Sequence, residues 1–185
     1  MKKKGATRRG FGKASAQAGA AAAIPAVAAA PAAAQIASPQ AGQFGPVLVG
    51  NYAMVDTIRV GGIGIRGRGM ADLRMMLGDD RVRFVGIADV RESAREMVKS
   101  TVDGYYKNND CVMYKDASEI LARKDIDALL IATSDRWHGP MAMWAAQSGK
   151  DMYIEKPGAM SIMEAYAMAD NVKRYGVVYQ SGAQR

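Results

Sequence analysis

Between Ile58 and Asp89 the chain sets glycines and apolar runs in an order that few folds accommodate. An apolar run, Ile58 to Ile63, leads into Gly62, Gly64 and Gly67, spaced G-x-G-x-x-G. A helical segment follows, and then a second apolar run, Val82 to Ala88, which ends on Asp89. A strand turning sharply into a helix, with a second strand returning beside the first, makes a right-handed βαβ unit with parallel strands. The glycines carry a chemical meaning as well. The first permits a tight turn, the second lets backbone approach a pyrophosphate, and the third lets the helix pack on the strand, its N-terminal N–H groups under the diphosphate. Ile63 and Arg66 lie in the same loop and count with the phosphate-contacting positions. Asp89, 22 residues after Gly67, stands where a carboxylate accepts hydrogen bonds from an adenosine ribose. A glycine-rich turn of some other α/β protein would share the loop but lack this register of strand, helix, strand and acid.

From Thr57 onward strands and helices alternate. Helices are predicted over Arg68–Leu77, Glu92–Ser100 and Ala117–Ala122. A further helix has Pro140 in its first turn and Gly149 past its end, and Ser161 with Glu164 opens the last as a capping box. Later strands are predicted at Val112–Tyr114, Ile126–Ala132, Met152–Ile154 and Val177–Gln180. The near-continuous apolar strands suit a sheet buried on both faces. The fold class is therefore α/β, a doubly wound parallel sheet, with room for one domain in the 128 residues from Ile58 to Arg185. Met141, Met143, Met160, Met163 and Met168 sit at helical positions and are expected to fill the core.

Residues 1–34 differ sharply in composition. They hold six of the 25 basic side chains and no acid, so the remainder carries 19 bases against 18 acids, a net charge of +1. The basic balance is thus a property of the terminus and gives no reason to expect a nucleic-acid surface. Thr7-Arg8-Arg9-Gly10-Phe11-Gly12-Lys13 resembles the bacterial twin-arginine export pattern, and Ala32-Ala33-Ala34 supplies an A-x-A cleavage site. A twin-arginine signal over residues 1–34 implies a periplasmic destination reached already folded; an Ala-rich tail is the plain alternative. Its apolar run is dominated by Ala, Gly and Pro, unlike a membrane span. Residues 35–57 read as a linker or arm. One cysteine and one histidine exclude a disulfide framework and a Cys- or His-built metal site, and Cys111 is expected to pack as a small hydrophobe.

Two further motifs narrow the reading. Ala132-Thr133-Ser134-Asp135-Arg136-Trp137-His138 follows one buried strand, and Glu155-Lys156-Pro157 follows the next. With the glycine loop, Asp89 and the terminal Gln180-Ser181-Gly182-Ala183-Gln184-Arg185, they resemble the Gfo/Idh/MocA oxidoreductases over residues 58–185. The resemblance implies a Rossmann fold binding NAD, with NADP the alternative, and a sugar-like or polyol substrate. It implies that Thr133, Asp135, His138, Glu155 and Lys156 contact the cofactor, that Lys156 and His138 serve catalysis, and that Pro157 is cis. Ser134 replaces the family's usual proline. It further implies a second α/β substrate domain, absent from these 185 residues, and oligomerisation of the full-length protein, this portion alone being inactive. An NAD-dependent glycoside hydrolase of the same family and a non-catalytic dinucleotide-binding module remain as alternatives.

Residue chemistry supports part of this independently. Hydride transfer from a carbinol needs a group to take the hydroxyl proton, and a lysine partly out of water beside cationic NAD⁺ yields its own proton more readily. On spacing alone Lys156 also reads as a solvated lysine paired with Glu155, His138 as a helix cap, and Asp135 as loop structure. Asp89 favours NAD by repelling a 2′-phosphate, whereas Arg91 would favour NADP.

Overall fold

The computed structural model describes residues 57–183. The expected signal over residues 1–34, almost all of the expected linker, Gln184 and Arg185 lie outside them. Six strands form one sheet: β1 (Ile58–Ile63), β2 (Val82–Ala88), β3 (Val112–Tyr114), β4 (Ala128–Ile131), β5 (Asp151–Glu155) and β6 (Tyr179–Gly182). Their order is β3-β2-β1-β4-β5-β6 and every neighbouring pair is parallel. Helices α1 (Arg68–Leu77), α2 (Glu92–Tyr106), α3 (Ala117–Leu121), α4 (His138–Gln147) and α5 (Ile162–Tyr175) supply the crossovers. This is the doubly wound Rossmann arrangement expected.

Both faces of the sheet are dry because successive strand residues point to opposite sides. Leu130, Val60, Phe84 and Ile87 pack with Met70, Leu73 and Leu77 of α1 and Val98 and Val102 of α2. Leu129, Ile131, Ile63 and Ile154 face the other way, onto Ile120 of α3, Met141, Ala142 and Ala145 of α4 and Met168 of α5. Each of the larger of these side chains, the alanines apart, contributes about 1.5–3 kcal/mol when removed from water.

Several boundaries differ from the sequence reading. Helix α2 runs six residues beyond Ser100 to Tyr106, closing on Lys107 at φ +56°. Thr101, Asp103 and Gly104 are weak helix formers, and tertiary anchors override that weakness. Tyr106 Oη donates to Val82 O and accepts from Phe84 N, both at 3.1 Å, tying the helix end to β2. Strand β4 is shorter than Ile126–Ala132, β5 extends one residue at each end of Met152–Ile154, and β6 begins at Tyr179 rather than Val177. The methionines divide. Met141 and Met168 are buried, but Met160 and Met163 are 60% and 65% exposed and do not fill the core. Met160 precedes α5 altogether, and Met163 shows that a helical spacing identifies the helix, not which of its faces meets the sheet.

Candidate functional site

The order of strands reverses between β1 and β4, where successive crossovers leave on opposite sides of the sheet, and a crevice opens at the C-terminal ends there. The loops bounding it are Gly64–Gly67 after β1 and Ala132–Trp137 after β4. They meet closely. A Cβ on Gly64, which has φ +67°, would stand 2.9 Å from Thr133 Cα. Gly64 N donates to Ala88 O at 2.9 Å, and Ala132 N to Ile63 O at 3.0 Å, so both loops are pinned to the strand ends.

The glycines divide their tasks differently from the sequence reading. Gly62 does not make the tight turn expected of it: it still lies in β1, where a Cβ would stand 2.7 Å from Ile65 and Phe84, and the turn comes at Gly64. The close packing expected at Gly67 falls instead to Gly69, where a Cβ would meet that of Ala132 at 2.5 Å. Gly67, at φ +46°, has nothing within 4 Å of a Cβ position and forms the N-cap of α1 without a side-chain hydrogen bond. The first turn of α1 carries no acid, while Arg66 and Arg68 flank Gly67. Gly69 N and Met70 N are turned to the Arg66 and Gly67 carbonyls, so it is the positive helix end and the guanidinium groups beside it that suit an anionic diphosphate.

At the end of β2 Asp89 is half-buried, its Oδ1 accepting from Arg91 N at 2.8 Å, while Arg95 Nη1 holds its carbonyl at 2.7 Å. Arg95, which the sequence reading passed over, thus fixes the backbone of the acid, and the Arg91 side chain stays exposed.

A cleft of about 190 Å³ is lined by Arg66, Arg68, Thr133, Asp135, His138, Glu155 and Lys156. Every residue expected around the nicotinamide end therefore comes to one place, with Asp89 two strands away at the adenosine end. Asp135 opens a single 3₁₀ turn, Asp135–Trp137. His138 begins α4 and is not its cap. It is 1% exposed, its Nδ1 lying 2.6 Å from Pro157 O and its Nε2 3.1 Å from Thr133 O. The ring thus braces the two loops against each other. The Lys156–Pro157 peptide is cis. Lys156 is exposed, so the desolvation expected of it is not supplied by the described residues. Glu155 is buried and turns inward, 3.9 Å from Arg68 Nε.

Fold and site together define a Rossmann-type dinucleotide-binding domain. The model of the GFO_IDH_MocA family, "Oxidoreductase family, NAD-binding Rossmann fold", matches residues 58–183, and the chain belongs to that family. A glycosyl hydrolase family 109 protein of Shewanella baltica is 30% identical over 176 residues, covering 90% of this chain and 37% of the relative. Among solved structures, myo-inositol 2-dehydrogenase from Lactobacillus plantarum superposes with a TM-score of 0.60 at 22% identity, over 68% of this chain and 36% of that one. Biliverdin reductase from Synechocystis, solved with biliverdin and NADP⁺, gives a TM-score of 0.60 at 22% identity, over 67% and 37%. The chain thus spans little more than a third of these proteins' length.

Proposed function

We propose that this chain is the nucleotide-binding part of an NAD-dependent oxidoreductase acting on a hydroxyl of a sugar, polyol or related compound. The observation that carries the reading is the gathering of Thr133, Asp135, His138, Glu155 and Lys156 around one cleft beside the glycine loop. The N-terminus of α1, free of any side-chain cap, holds the diphosphate with Arg66, and Asp89 accepts from the adenosine ribose. When bound, the nicotinamide supplies a hydride acceptor. Lys156, exposed and at the cleft edge, takes the hydroxyl proton of the substrate and polarises the forming carbonyl. His138, buried and braced by two carbonyls, keeps the Thr133 loop and the Pro157 turn in register around the ring. Asp89, fixed by Arg91 N, favours NAD over NADP.

Export by the twin-arginine route to the periplasm, a second domain that binds substrate and supplies further catalytic groups, and a homo-oligomeric whole protein belong to the same proposal. A second reading, an NAD-dependent glycoside hydrolase, is favoured by the Shewanella relatives' names. Net reduction of NAD⁺ by substrate separates the two, since transient oxidation within a hydrolytic cycle leaves none.

The binding part is tested by titrating the 185-residue chain with NADH and following nicotinamide fluorescence. Saturable binding is expected, weakened at least about tenfold in Asp89→Ala through loss of the ribose hydrogen bonds. A chain that binds no nicotinamide cofactor sinks the reading.

A further inference from the structure

Behind the Lys156 end of the cleft lies a second carboxyl group. Asp72, on the first turns of α1, is 2% exposed, and Glu155, on β5, is 5% exposed. Arg68 reaches into the same place, its Nε 3.0 Å from Asp72 Oδ1 and 3.9 Å from Glu155 Oε1. One cation faces two buried acids. If both were ionised, two sets of acceptors would confront each other in a dry site. Neither Asp72 oxygen then receives a well-aligned hydrogen bond, the approach of Arg68 being an ion pair only. A proton between the carboxyls supplies the missing donor and leaves a neutral triad with Arg68. Burial, then the neighbouring Glu155 carboxyl, hold the Asp72 carboxyl above the usual carboxylate range, against the opposing pull of Arg68. Gly182 of β6 completes the enclosure: a side chain there would collide with the Glu155 carboxyl and crowd the Tyr153 hydroxyl.

We propose that Asp72 and Glu155 share one proton and that the pair releases it when a cationic nicotinamide occupies the cleft. The proposal rests on the function proposed above and deepens it. Glu155 is part of the cleft wall, so a positive ring bound there favours the fully ionised pair, whereas neutral NADH does not. Only an O–H bond breaks, the proton goes to solvent, and nothing is oxidised. The neutral triad becomes net negative opposite a positive charge. The other ionisable side chains lining the cleft are Arg66, Asp135, His138 and Lys156. Asp72 is thus a positioning residue, acting on the cofactor's charge through Glu155.

Calorimetric titration of the 185-residue chain with NAD⁺ and with NADH, in buffers of different ionisation enthalpy, counts the protons released. At a pH where the cofactor-free pair still holds its proton, NAD⁺ is expected to release up to one proton and NADH close to none, and Asp72→Asn to abolish the difference, its amide donating to the Glu155 carboxyl. NAD⁺ binding without release, or release that persists in Asp72→Asn, overturns the proposal and leaves the proposed function standing. A chain that binds neither form overturns both. Should the variant not fold, a carboxyl-carbon NMR titration of the unmodified, cofactor-free chain decides. One carboxyl of the pair must keep its proton above the ordinary aspartate range, and ionisation of both within that range overturns the proposal.

Discussion

Gly69 and Gly67 show how far a glycine pattern identifies a loop without assigning its members. The spacing located the turn, the helix start and the acid, because those depend on local order along the chain. It misassigned the helix-packing glycine, because that contact is with Ala132, 63 positions away in sequence. Gly69→Ala is expected to lose roughly 1–3 kcal/mol by overpacking against Ala132, and Ala132→Gly in the same chain to recover much of it. Gly67→Ala strains a backbone at φ +46° but touches nothing, so Ala132→Gly does not rescue it. Urea unfolding of the singles and doubles reads the difference, and equal rescue at both positions would contradict the assignment. Asp72 was illegible for a related reason: four residues after Arg68, it reads as an ordinary helix-surface ion pair until Glu155 is brought beside it.

At the scale of elements, the strands were the most legible, because a sheet buried on both faces leaves uninterrupted apolar runs. Helix ends were less so. The last two turns of α2 are held by contacts outside the helix, through Tyr106 and through Asp103, which accepts from Cys111 N at 3.0 Å as well as from Lys99 Nζ of the same helix at 2.6 Å. Lys99 Nζ also donates to Cys111 O at 2.8 Å. This tie seats the chain entering β3. Asp103→Ala leaves a buried N–H unsatisfied and is expected to cost about 1–3 kcal/mol in denaturant unfolding. The Cys111 thiol, pushed up to about 12 by burial and then by Asp103, is expected to resist alkylation at pH 8 in the folded chain. It should react promptly in urea. Labelling of the native chain would show that the β3 junction opens readily.

Across the whole molecule the two ends of the sheet hold charge for different purposes. The C-terminal ends carry exposed Arg66 and Lys156 and half-buried Asp89, the groups assigned to the cofactor in the function proposed above. The N-terminal ends carry charges that are consumed internally. Arg59 Nη2 meets Asp125 at 2.7 Å, Arg59 N donates to Asp127 at 2.7 Å, and buried Lys150 donates to the Ile126 and Arg123 carbonyls, joining the loops before β1, β4 and β5. Arg123, followed by Arg59, holds the Asp125 carboxyl well below the usual range. A depressed folded value means that this stabilisation is fully present above the unfolded value of 3.8 and is lost as pH falls below it. Because Asp125 is about half exposed, Asp125→Asn is expected to cost no more than about 1 kcal/mol at pH 7, the difference vanishing in strong acid. NADH affinity should not change. Asp89→Asn should do the reverse, weakening NADH while leaving the unfolding midpoint where it was, since among the described residues its side chain supports only Arg91 N. Paired unfolding and binding titrations of both variants test this division of labour. A shift of both properties by either variant would mean that the two ends of the sheet are energetically coupled, and that the site is not simply mounted on a rigid frame.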